Sequence, residues 1–347
     1  MYRFSGRVSY IDRYMTMKSQ PYTFLLLGFL AAVVGCTDPS PATQSEAPDS
    51  KPKIVSDKYT VEQNGIGMQL HRKQLPDTQA KNSNTLLLLP SATFSTAPNW
   101  DLQYNDSSIM DFFAESGWVV YALDLPGYGK SANPPKPETF GAIESAEYVH
   151  AAVEFICKKE EIESVHLLGW SWGAQVAGRF ANEFPQRVNK LVLYGFNYQM
   201  RFPEGALPKD PYREIKFEGA ITDFIDGCYE QDVPTQYANA VLESDEDKLA
   251  PAGPIHDYVN RLPVVEPTRL PMPVLVLCGQ FELEQPPNAD KGYADFFLAR
   301  KHDLEEFCKQ LPNGQKTPVI ISGGGHAVHL EKPKHEWRQR VLEFFQE

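Results

Sequence analysis

A chain of 347 residues with 42% apolar and 22% charged side chains can form one large α/β domain, alone or with an inserted lobe, and is not wholly disordered. Its formal charge of −12 excludes the electropositive footprint that non-specific nucleic-acid binding needs. No C-x-x-C or H-E-x-x-H spacing occurs, so no metal or other cofactor is expected.

Arg13 and Lys18 precede an apolar run, residues 23–35 (TFLLLGFLAAVVG), of about 13 residues, short of the roughly 20 that span a bilayer. A basic segment, a short apolar core and small residues at its end are the layout of a secretory signal. The run closes on Val33-Val34-Gly35-Cys36, which resembles the lipobox of bacterial lipoproteins. The resemblance implies that residues 1–35 are removed and that Cys36 is acylated, anchoring the chain to a membrane of the cell envelope. Thr37, rather than Asp, follows the cysteine, which by likeness to Gram-negative sorting implies the outer membrane, facing the periplasm. Met15 and Met17 are alternative translation starts. From 37 to about 53 the chain is mostly Pro, Ser, Asp, Ala and Thr, so residues 36–56 read as lipidated cysteine and flexible tether.

Next, short apolar runs alternate with helical patterns, as in a parallel sheet covered on both faces. The expected strands are 85–89, 118–123, 165–168, 191–194, 274–277 and 319–321, nearly continuous in apolar residues. An earlier pair, 59–62 and 68–72, alternates more and suits an antiparallel hairpin at the edge. Ile109, Phe112 and Phe113, then Ala146, Val149, Val153 and Ile156, recur at helical spacing, and Trp337, Val341 and Phe344 form the stripe of a last helix. The alternation breaks over 197–270, too long for a loop, where segments near 221–229, 234–242 and 255–262 suggest an inserted helical lobe. Cys157, Cys228, Cys278 and Cys308 allow three pairings in an oxidising compartment. Cys278 reads as a buried thiol, and a Cys228–Cys308 bridge stays open.

The chemistry concentrates in Gly169-Trp170-Ser171-Trp172-Gly173-Ala174, a G-x-S-x-G between an expected strand and a helix-compatible run. That setting puts the serine on a sharp turn at the carboxyl end of the sheet, before a helix whose N–H groups favour an oxyanion. A serine hydroxyl needs a base. Where this motif occurs, an acid and then a histidine follow it in the chain. His326, after Gly323-Gly324-Gly325 at the end of the last strand, is the candidate base. His329 reads as the approach to the last helix, and His302 and His335 as solvated helix residues. The orienting acid is expected after 274–277: Glu282 first, Glu284 as fallback, Asp290 third. Trp170 and Trp172 flank the serine, either as an aromatic wall for the substrate or as core beneath the turn. Trp170 is taken as the pocket residue.

Three stretches together resemble the α/β-hydrolase superfamily, specifically its capped, serine-nucleophile members: Asp124-Leu125-Pro126-Gly127-Tyr128-Gly129-Lys130-Ser131, Gly169 to Ala174, and Gly325-His326 with Glu331-Lys332-Pro333. The resemblance implies a mostly parallel central sheet flanked by helices, with hydrolase core at 57–196 and 271–347 and a helical cap at 197–270. It also implies an oxyanion hole from the backbone after the first parallel strand. Here Pro90-Ser91-Ala92 replaces the frequent His-Gly, so Ala92 or Ser91 donates, with Trp172 as second donor. Glu282 stands where the family most often has Asp.

The expected function is hydrolysis of a small ester-like substrate through an acyl-enzyme on Ser171. The alternatives are a proline-iminopeptidase-like aminopeptidase, suggested by Trp172 after the serine, and a non-catalytic envelope binding protein.

Overall fold

The computed structural model describes residues 53–245, 247–286 and 294–347. The signal-like run, Cys36 and most of the tether lie outside them, as does Asp290. Ile54–Glu347 is one compact unit.

The first two strands, β1 (Val55–Gln63) and β2 (Ile66–Gln74), pair antiparallel around an Asn64-Gly65 turn, the spelling that suits a tight hairpin. Next come β3 (Thr85–Leu89), β4 (Val119–Leu123), β5 (Val165–Trp170) and β6 (Val188–Tyr194), then β9 (Val274–Gly279) and β10 (Val319–Ile321) after an insertion. They form one eight-stranded sheet in the order β1-β2-β4-β3-β5-β6-β9-β10. β2 joins β4 antiparallel, and every later pairing is parallel. All residues of β3, β4, β5 and β9 are buried, which is why these runs carry no polar alternation. Helices flank the sheet. Ala142–Glu160 packs against Trp172–Glu183, and the terminal helix Lys334–Gln346 brings Phe345 onto Trp118 and Phe113.

Between β6 and β9 the insertion is mixed rather than helical. Two short strands, β7 (Tyr212–Glu214) and β8 (Leu249–Pro251), form an antiparallel ribbon, and the helix Val233–Ser244 lies between them in the chain. The helix expected over 221–229 is not formed. Phe217–Ala220 and a 3-10 turn, Ile221–Asp223, take its place, and Gly227 at φ 90° breaks the backbone beyond them. The segment near 255–262 is a short helix, Gly253–His256, continuing into a π-helical turn, Asp257–Arg261.

Polar bonds tie the insertion to the sheet domain. Tyr237 donates to Asn99 Oδ1 at 2.6 Å, and Asp257 accepts from the Trp172 indole at 2.9 Å and the Ala142 amide at 2.6 Å. Each such bond contributes about 1 kcal/mol net, more where an ionised group accepts. Cys157, Cys228, Cys278 and Cys308 are all free and buried, so no bridge joins Cys228 to Cys308. Among the described residues no helix is long and apolar enough to cross a membrane.

Candidate active site

β5 ends at Trp170 and the next helix begins at Trp172, which leaves Ser171 alone between them at φ 57°, ψ −119°. A non-glycine residue held there costs about 1–3 kcal/mol, and it persists only where its surroundings dictate it. Its amide donates to the Tyr194 carbonyl at 2.7 Å, and its own carbonyl accepts from Ala174 at 3.0 Å. The flanking glycines are steric requirements. A Cβ at Gly169 would stand 2.1 Å from the Gly173 carbonyl oxygen, and one at Gly173 would stand 2.2 Å from that of Pro90. The loop 90–92 is thereby pressed against the turn that carries Ser171.

His326 follows β10 on its glycine loop. Its Nδ1 lies 2.8 Å from Oε1 of Glu282, which sits on a 3-10 turn directly after β9. Glu282 is buried. It also accepts from the Gly279 amide at 3.1 Å and from Arg300 at 2.6 Å. Burial alone would raise its pKa, but the His326 and Arg300 charges overcome this and hold the carboxyl below its usual range. For His326, burial works to lower the pKa. The Glu282 carboxylate, with Asp223 adding to it, reverses the sign and leaves the imidazole above 6.5.

Ser171 and His326 converge on the end of β6. Tyr194 holds the serine amide, and at the next residue, Gly195, a Cβ would stand 2.9 Å from His326 Cε1. Two residues of the insertion also reach this point. The Tyr258 side chain lies beside that of Ser171, and its ring stacks on Phe202 at 4.7 Å. Asp223 faces His326 closely enough for their charges to interact. Sequence reasoning missed both, because a lone Tyr and a lone Asp in an irregular insertion carry no motif or period.

Trp170 is corrected. Its indole is fully buried beneath the site, T-shaped to His329 at 4.5 Å, and donates to the His326 carbonyl at 3.0 Å. It props the histidine loop instead of lining a pocket. Trp172 is equally buried, its indole committed to Asp257, so only its backbone at the helix start faces the serine turn. Glu284 is exposed and bonded to Gln280 at 2.8 Å. His329 is buried between Tyr194 Oη and the Asn99 carbonyl, and burial lowers its pKa to about 3, leaving it neutral. Ala92 is half-buried. Its carbonyl accepts from Tyr128 at 2.7 Å and from Arg213 at 2.9 Å. Among the described residues no group of three or more His, Cys, Asp or Glu is placed to hold a metal.

The family model of the alpha/beta hydrolase fold matches residues 85–333. The chain belongs to this family. Among relatives of this α/β hydrolase, a 2-hydroxy-6-oxononadienedioate/2-hydroxy-6-oxononatrienedioate hydrolase of Paraburkholderia phymatum is 32% identical over 145 residues, 41% of this chain and 46% of that protein. A poly(3-hydroxyalkanoate) depolymerase of Ectopseudomonas oleovorans is 34% identical over 74 residues, 21% and 24% of the two chains. The hydrolase thus spans less than half the length of these curated relatives. A thermophilic esterase of Thermogutta terrifontis superposes with a TM-score of 0.59 at 18% identity, covering 84% of this chain and 98% of that one. A 2-hydroxy-6-oxo-6-phenylhexa-2,4-dienoate hydrolase of Rhodococcus gives 0.56 at 18%, covering 85% and 100%. At these identities the structural likeness shows the fold alone.

Proposed function

We propose that the protein is a serine hydrolase acting on a carboxylic ester or similar acyl substrate through an acyl-enzyme. One observation carries the reading: Nδ1 of His326 lies 2.8 Å from a buried, ionised Glu282, beside a serine on a strained turn. An ionised carboxylate only accepts, so Nδ1 holds the proton and Nε2 is the basic nitrogen. Ser171 Oγ attacks the carbonyl carbon as Nε2 takes its proton. The Ala92 and Trp172 amides receive the oxyanion, and the imidazolium protonates the departing alcohol. Water then repeats the sequence and frees the acid.

The test is labelling by a fluorophosphonate together with turnover of p-nitrophenyl esters. Ser171→Ala should lose both, with turnover down about 10⁴-fold or more. An unlabelled wild type would favour a binding role, and faster turnover of prolyl-naphthylamide would favour the aminopeptidase.

A second reading, hydrolysis of a carbon–carbon bond beside a ketone, is favoured by the names of the matched hydroxy-oxo-dienoate hydrolases. It uses the same three side chains, and loss of absorbance from such a dienoate would distinguish it. For the envelope, the run ending at Cys36 supports a lipid anchor. Cys36→Ser should release the protein from the membrane fraction, and unchanged fractionation would end that reading.

A further inference from the structure

Interior guanidinium groups in this protein have acids. Arg72 pairs with Glu160, Arg300 with Glu282 and Arg338 with Asp106. Arg213, on β7 of the insertion, is the departure. Its Nη2 donates to the Ala92 carbonyl at 2.9 Å and the Thr93 hydroxyl at 3.3 Å, while its Nε is buried with no partner. No carboxylate among the described residues pairs with it. Burial pulls its pKa down, opposed only by the Tyr128 phenol. A desolvated cation without a counter-charge is costly to maintain, and an anion supplied from outside would offset that cost.

Its place gives it a use. The two groups that hold the guanidinium belong to the loop after β3, whose Pro90 carbonyl is pressed against Gly173 of the serine turn. Arg213 is therefore anchored to the loop that carries the proposed oxyanion donor Ala92. Asp223, also in the insertion, faces His326. The insertion thus presents a positive charge to the loop after β3 and a carboxylate to the histidine that would protonate the leaving group.

We propose that Arg213 binds a carboxylate carried on the acyl half of the substrate, so that the preferred substrates are monoesters of short dicarboxylic acids. The inference rests on the acyl-enzyme reading of Ser171. A planar guanidinium with Nε unpartnered can offer N–H donors to such a group, with Asp223 discouraging an anion on the alcohol half.

The experiment compares p-nitrophenyl monoesters of succinate, glutarate and adipate with the corresponding neutral butyrate, valerate and hexanoate esters, using the full chain. The wild type should prefer at least one charged ester over its neutral match. Arg213→Met should lower kcat/KM for that ester about 10- to 100-fold more than for the neutral one, and Arg213→Lys should retain part of the preference. Free glutarate should also slow fluorophosphonate labelling of the wild type where glutaramide does not, a measurement that needs no variant. A wild type that prefers the neutral esters throughout, or equal losses on both in Arg213→Met, overturns the assignment. Absence of labelling brings down the serine reading and the proposal with it, whereas labelling without discrimination brings down only Arg213.

Discussion

His326 Nδ1 and Glu282 Oε1 lie 2.8 Å apart, and Arg300 bonds the same carboxylate oxygen at 2.6 Å. The acid therefore serves two cations from one buried position. Its depressed pKa contributes stability that is present above the unfolded value of 4.5 and lost as pH falls through the folded one. The raised pKa of His326 contributes stability fully present below 6.5 and lost as pH rises through its folded value. Together they support the fold most between pH 4.5 and 6.5.

Activity runs the other way, because the base works unprotonated. The acid limb of kcat/KM should have its midpoint above pH 6.5. Asp223→Asn removes one of the charges that hold it there and should move the midpoint down. A midpoint that stays put or rises would show that Asp223 does not act on the imidazole.

Glu282→Gln keeps the shape and removes the charge. Its amide can turn a donor toward Nδ1 and select the wrong tautomer, so kcat should fall about 10³- to 10⁴-fold. Steady-state kinetics on the alkaline plateau measure it. Near-normal turnover there would move the acid's role elsewhere.

Gly173→Ala places a methyl 2.2 Å from the Pro90 carbonyl oxygen and 2.7 Å from that of Leu89, both backbone atoms. The strand end and the serine turn must separate, at a cost of about 1–3 kcal/mol or more. Thermal unfolding should shift down and turnover should collapse. An unchanged melting curve would mean that the two backbones are not in contact.

Trp170→Phe retains an aromatic ring in the core and deletes the N–H bond to the His326 carbonyl. The Tyr194 hydroxyl still donates to that carbonyl at 2.6 Å, so kcat should fall only modestly. Preference among acyl chain lengths should not change. A changed preference would return Trp170 to the pocket wall.

Glu331 accepts from the Gly325 amide, and burial raises its pKa from 4.5 to about 8. A raised carboxyl pKa means that the unfolded chain gives up its proton first, so stability declines between pH 4.5 and about 8. Glu331→Gln removes that decline. Its melting temperature relative to wild type should improve steadily from pH 5 to pH 8, and a constant difference would refute the burial effect.

The parallel strands were legible because both their faces are covered, which demands runs such as Thr85–Leu89 with every residue buried. The edge hairpin was legible from its alternation. The insertion was not, since its helical periods were short and Gly227 ended one of them. At the site, Ser171, His326 and Glu282 were marked by the loops that must carry them. Trp170 stood next to the serine and gave no clue to its direction.

The amino-acid sequence alone determined the parallel strands and marked Ser171, His326 and Glu282, because steric rules at a tight turn and burial on two faces act over a few neighbouring residues. Only tertiary structure decided which way Trp170 points, that Glu282 and not Glu284 meets the imidazole, and that Arg213 bonds the loop after β3 while Asp223 faces His326. Those outcomes depend on contacts between segments far apart in the chain, and no local pattern encodes them.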